Sequence, residues 1–243
     1  MSHLPNNQHA TLPALVVSRV FLHVRFKFIL SLLVSVVTTV PYMVLQKFRV
    51  FQPRTFELNW VDRLAGFDLA WMWVYLSYFP LLFVSPWLAT KKATLKWFLV
   101  GWYVVAVQAW LTFAFFPVDG PVRPDMSIGS GASSSDGLDS LSAHWYRLLV
   151  EVDSPGNAFP SLHVGYLVYA MLFSHVVIDR AYGPRRQYVL LAAGWFCTAA
   201  VLWSTMATKQ HYFVDVLGGL VIAAVGFSVA RWGLRRQGQV ETA

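Results

Sequence analysis

Long apolar stretches separated by short polar ones set the pattern of this chain. Six of them, at about 26–46, 69–89, 95–117, 159–179, 187–207 and 211–231, reach the roughly 20 residues that a helix needs to cross hydrocarbon. The pattern therefore predicts an all-α integral membrane protein with six transmembrane helices. It is read as one membrane domain over 1–243, with a cytoplasmic tail at 1–25 and an extracytoplasmic loop at 118–158. Between the first two spans, "KFRVFQPRTFELNWVDRLAGF" (47–67) mixes charges with aromatics and reads as interfacial. "GSGASSSDG" (129–137) reads as a flexible loop. "LDSLSAHWYRLLVEVD" (138–153) has helical periodicity and is expected to lie on the membrane surface. No internal repeat is visible.

Composition agrees with the pattern. Hydrophobic residues make up 56% of the chain and charged residues 13%, against about 25% charged in an ordinary soluble domain. The net charge of +7 is spread over short loops, so no nucleic-acid partner is expected. Cys197 is the one cysteine, which excludes an internal disulfide and a cysteine metal cluster; it reads as a small core residue. The first 18 residues are polar, so no cleavable signal is expected and the first long run should act as an anchor. Six spans put both termini on one side. Twelve Lys and Arg fall on that side and seven on the other, which places the termini in the cytoplasm and the loops 118–158 and 208–210 outside.

The unusual polar residues all fall at the outer ends of spans. Arg123 follows the third span. Ser161 and His163 open the fourth, Ser204 closes the fifth, Lys209 lies in the connection, and His211 and Asp215 open the sixth. An ionised Asp215 inside a span needs a partner. His211 stands four residues before it, on the same helix face. A carboxylate there fixes the imidazole tautomer and leaves the other nitrogen as a nucleophile; a structural His–Asp pair at a helix entrance is the plainer reading. In "FPSLHV" (159–164), Pro160 suits the first helical position, which leaves the amides of Ser161, Leu162 and His163 facing outward as an anion site. His163 beside it is a candidate proton donor, or simply an interfacial histidine. His144 and His175 read as structural, and Asp119 and Asp125 as groups that orient Arg123.

Taken together, Arg123-Pro124, "PSLH" at 160–163 and "STMATKQHYFVD" at 204–215 resemble, in order, the three motifs of the type 2 phosphatidic acid phosphatase superfamily of membrane enzymes. The resemblance covers about 69–231, which it marks as the catalytic core. "AFPSLHVGY" and "WSTMATKQHYFVDVLGG" look most like the inositol phosphorylceramide synthase branch, which moves a phospho-headgroup between lipids. Two motif cations are missing: Phe116 stands where the first motif has lysine, and Thr205 where the third has arginine. The resemblance implies His211 as nucleophile through a phosphohistidine, Asp215 as its orienting partner and His163 as acid and base. Arg123, Ser161, Leu162, Ser204 and Lys209 then hold the phosphate, with Lys209 as the substitute cation. It implies a lipid phosphate or phospholipid substrate, and no metal or other cofactor. Phosphatase and headgroup transferase both fit. A proton-coupled transporter and a metal-dependent hydrolase using both histidines and Asp215 are the competing classes.

Overall fold

The computed structural model describes residues 12–89, 91–124, 137–153, 156–178 and 184–241. The expected loop at 129–137 lies outside them up to residue 136, as does Asp125. Among the described residues all regular structure is helical, apart from a single bridge between Arg54 and Val118. The helices are α1 (Leu12–Lys47), α2 (Trp60–Leu64), α3 (Met72–Leu76), α4 (Tyr78–Val84), α5 (Lys92–Phe115), α6 (Gly137–Val152), α7 (Leu162–Ile178), α8 (Pro184–Ala207) and α9 (Phe213–Glu241). Among the described residues five segments are long and apolar enough to cross a membrane: 23–47, 69–87, 92–115, 185–207 and 213–238. The sixth expected span is a shorter apolar helix, α7, of 17 residues.

Four expectations need correction. α1 begins at Leu12, well before 26, so part of the expected tail is helical. The span at 69–89 is broken into four short pieces, with α3 and α4 parted at Ser77. Pro80 explains the break: its ring clashes with the carbonyl four residues back, at Leu76, and it has no amide to donate. α7 starts at Leu162, so Pro160 precedes the helix by two residues. Cys197 is exposed on α8 instead of packed in the core.

Contacts at the two ends show how the helices alternate. At one end Lys27 of α1 is buried and donates to the carbonyls of Trp87 (3.0 Å) and Ala89 (2.8 Å), capping the broken span, while Trp97 of α5 reaches Gln237 of α9 at 3.0 Å. At the other end the Asp68 amide meets the Ala207 carbonyl at 3.1 Å, and Arg54 pairs with Pro117 and Asp119 through backbone bonds. The core is made by α5, α7 and α9, around Phe98, Trp102, Tyr166 and Tyr169.

Two close approaches fix this core. A Cβ on Gly101 of α5 would stand 2.7 Å from the Gly226 carbonyl of α9, so small residues let these backbones touch. A Cβ on Gly219 would stand 2.6 Å from the Val164 Cβ and 2.7 Å from the Ser161 carbonyl. That second contact seats the start of α7 against the start of α9. α6 packs beside α3 through buried Tyr146, and the Trp73 indole donates to Ser142 at 2.9 Å. The 47–67 segment folds over the same end: Phe56 packs edge-on against Phe159 and Tyr212.

Candidate active site

Four turns at this end deliver the polar groups. α8 ends in a left-handed turn at Lys209 (φ 56°), with the Gln210 amide bonded to the Thr205 carbonyl and the Lys209 amide to that of Met206. This is the usual two-bond helix stop, with lysine where glycine is commonest. The turn presents Gln210 and His211. Past it, α9 starts with its Phe213 amide bonded at 2.6 Å to Asp62, a buried carboxylate whose other oxygen accepts from the Asn59 amide at 3.0 Å. The helix start is thus capped by a residue of the 47–67 segment.

Asp215 is fully buried and ties the loops together. Its Oδ2 accepts the Tyr212 amide at 2.8 Å and lies 3.4 Å from His211 Nδ1, and its backbone carbonyl accepts the Ser161 amide at 3.0 Å. That last bond corrects the sequence reading: the Ser161 amide is used internally. The amides of Leu162 and His163 meet no acceptor among the described residues. His211 Nδ1 also lies 3.0 Å from the Ala158 carbonyl. Both neighbours of Nδ1 only accept, so Nδ1 carries the hydrogen and Nε2 the lone pair. His163 Nδ1 faces that lone pair at 3.1 Å.

Arg123 completes the arrangement. Its guanidinium donates to Gln210 Oε1 at 2.6 Å and to the Asp153 carbonyl, and lies 3.7 Å from the Asp153 carboxylate. Its Nε is buried without a partner among the described residues. Asp153 is held by Tyr42 at 2.6 Å and Gln46 at 3.0 Å, both from α1.

Arg123, Leu162, His163 and His211 line one cavity of about 410 Å³, with Gln210, Asp153 and Asn157 at its polar end. Tyr75, Tyr78, Phe79 and Leu82 of the broken span and Ser35, Thr38, Thr39 and Tyr42 of α1 contribute to the rest of the wall. Among the described residues, Arg123 and Asp153 are, besides the histidines, the charged side chains that line it. Of the other expected phosphate ligands, Ser161 and Ser204 are fully buried, and the Ser204 hydroxyl donates to the Val201 carbonyl at 2.7 Å. Lys209 does not line the cavity; its ammonium donates to the Asp62 carbonyl at 3.2 Å, and burial lowers its pKa. Phe116 lies under the Arg54 guanidinium, 4.3 Å from its centroid, outside the cavity. A larger apolar groove of about 920 Å³ beside Lys92 and Lys96 contains none of the expected site residues. Among the described residues no three His, Cys, Asp or Glu side chains are grouped to hold a metal ion.

A family model described as the PAP2 superfamily matches residues 43–229. The chain belongs to the PAP2 superfamily. Two curated proteins are similar to the chain over a limited stretch. The inositol phosphorylceramide synthase catalytic subunit aur1 of Schizosaccharomyces pombe is 39% identical over 75 residues, 31% of this chain and 16% of that protein. The inositol phosphorylceramide synthase of Candida albicans is 35% identical over 77 residues, 31% of this chain and 14% of that protein. The match thus spans about a sixth or less of either relative. No solved structure matches.

The sequence missed Tyr75, Asp153, Gln210 and Asp62 as parts of this candidate site. Gln210 was signalled only by standing next to His211. Asp153 ends an amphipathic helix, where a carboxylate reads as a solvated group. Tyr75 sits among apolar residues and gave no signal.

Proposed function

We infer that this PAP2 protein transfers the phosphate-bearing headgroup of a membrane lipid through a phosphohistidine, at the extracytoplasmic end of its helices. The observation that carries the reading is the 3.1 Å approach of His163 Nδ1 to His211 Nε2 on a cavity that also contains Arg123. His211 Nε2 attacks phosphorus and forms the N–P bond as the P–O bond to the departing alcohol breaks. His163 gives its Nδ1 proton to that oxygen. Asp215 and the Ala158 carbonyl hold the Nδ1 hydrogen of His211 as positive charge develops on the ring. A second hydroxyl then attacks phosphorus, its proton passes to His163, and the N–P bond breaks. Arg123 and the amides of Leu162 and His163 stabilise the transferring group.

The charge balance favours a phosphodiester. Among the described residues of the cavity one arginine is offset by one aspartate, which suits a singly charged phosphate better than the dianion of a monoester. The similarity to proteins named inositol phosphorylceramide synthase supports the same choice. Lys209 serves here as an anchor on the Asp62 carbonyl, Ser161 ties the start of α7 to Asp215, and Ser204 holds the end of α8 through Thr208. With water as second nucleophile a phosphodiester would release its phospho-headgroup, and a phosphate monoester would release free phosphate, which is the phosphatase reaction.

The test is purified protein with lipids labelled in the phosphate, with and without a lipid alcohol acceptor and EDTA. Phosphatidic acid, phosphatidylinositol and phosphatidylglycerol serve as donors, and products are read by mass spectrometry. The expected result is an acid-labile label on wild type, absent from His211→Ala, and a new phospholipid only when acceptor is present. Free phosphate from phosphatidic acid alone would make the enzyme a hydrolase. Turnover abolished by EDTA would select the metal-dependent reading.

A further inference from the structure

Tyr75 is fully buried at the end of α3, where the broken span opens. Its hydroxyl lies 2.8 Å from His163 Nε2, and the two rings are 5.0 Å apart. Tyr78, just past the break, packs against the same imidazole at 4.4 Å. The interruption at Ser77 therefore sets two tyrosines around His163.

The hydrogen positions follow from the partners. His211 Nδ1 faces only acceptors, so its Nε2 is a lone pair. The contact to His163 needs one hydrogen, which His163 Nδ1 supplies. A neutral His163 then has its lone pair on Nε2, and the Tyr75 hydroxyl donates to it. The chain from Tyr75 through His163 and His211 to Asp215 has one consistent direction.

We propose that Tyr75 is the positioning residue of His163: it selects the tautomer that points N–H at the nucleophile and phosphorus, as Asp215 does for His211. The inference rests on the phosphoryl-transfer reading above. When an anionic phosphate binds, His163 takes one proton from solvent at Nε2, and the phenol oxygen turns from donor to acceptor. The Nδ1 proton passes to the departing alcohol oxygen as its P–O bond breaks, while Nε2–H stays on Tyr75. In the second half-reaction Nδ1 takes the acceptor hydroxyl proton. A hydroxyl that both donates and accepts keeps hold of the ring in each state; phenylalanine holds neither.

The test compares Tyr75→Phe with wild type on two phosphodiester lipids that differ in leaving group, one an alkyl alcohol and one p-nitrophenol. The nitrophenolate departs without a proton. The readout is the single-turnover burst of leaving group, which reports the first half-reaction alone, since the base role of His163 slows the second half-reaction on either ester. General acid catalysis contributes typically about 10²–10⁴-fold, so in that burst the variant should lose roughly 10²-fold on the alkyl ester and stay within about threefold on the nitrophenyl ester. His163→Ala should lose more in the burst on the alkyl ester than on the nitrophenyl ester and should lose steady-state turnover on both. Equal loss on both substrates would mean a packing role only, and no loss on either would mean no role; each overturns the proposal. Nitrogen-15 chemical shifts of His163 give a reading independent of turnover: wild type should show N–H at Nδ1, and Tyr75→Phe a mixture. An unchanged tautomer would also overturn it. Failure of wild type on both esters would instead remove the phosphoryl-transfer reading itself.

Discussion

Arg123 grips the side chain of Gln210, the residue just before His211, at 2.6 Å. The proposed phosphate ligand and the proposed nucleophile are therefore set by adjacent positions of one turn. Gln210→Leu keeps the size but removes the acceptor. Hydrogen bonds to charged groups contribute about 1.5–3 kcal/mol, so kcat/KM should fall roughly 10- to 100-fold with the fold retained. Steady-state kinetics beside a thermal melt check this. Unchanged kcat/KM would show that Asp153 alone suffices to hold the arginine.

Asp215→Asn should lower turnover strongly without abolishing it. An amide at this position can offer N–H to His211 and lose the preference for hydrogen at Nδ1; in a related orienting role the same change costs about 10⁴-fold. The covalent label on His211 should form slowly and remain detectable. Wild-type labelling rates in Asp215→Asn would assign tautomer control to the Ala158 carbonyl, 3.0 Å from the same nitrogen.

Lys209 has two separable properties, its ammonium and its left-handed backbone. Lys209→Gly removes the first and suits the second, whereas Lys209→Ala leaves the turn strained by about 1–2 kcal/mol. The expected outcome is near wild-type activity for glycine, within about threefold, a difference of roughly 0.7 kcal/mol. A loss of about 10²-fold or more in the glycine variant would restore Lys209 as the second phosphate cation.

Asp62→Ala should destabilise the protein more than a surface change does. It leaves the Phe213 amide at the start of α9 without its acceptor, at about 1–3 kcal/mol. A lower unfolding midpoint in detergent, with faster amide exchange at 211–215, is the readout. An unchanged midpoint would show that water replaces the carboxylate.

The helices were legible because burial in hydrocarbon demands long apolar runs, and the common depth of Arg123, His163, His211 and Asp215 was legible for the same reason: polar groups stand out against such runs. Local exceptions were not. The break at Ser77 depends on Pro80, but nothing in the apolar pattern says on which side of the helix the two tyrosines then fall. The 17-residue α7 was overcounted because Phe159, Pro160 and Ser161 are apolar or small, although they form the turn before the helix. Lys209 was read from charge and proximity in sequence; its side chain turns away from His211 because the left-handed residue reverses the chain there. Asp153 and Tyr42, 111 positions apart, meet only through tertiary packing.

The family pattern covers 43–229, whereas Ser35, Thr38, Thr39 and Tyr42 of the cavity wall stand before it. The two facing histidines and the part of the wall contributed by the first helix are thus written in different stretches of the chain. Exchanging that helix between homologous proteins should retune which lipid is accepted while the bond-making groups stay as they are, so chemistry and selectivity can drift apart in evolution or be recombined by design.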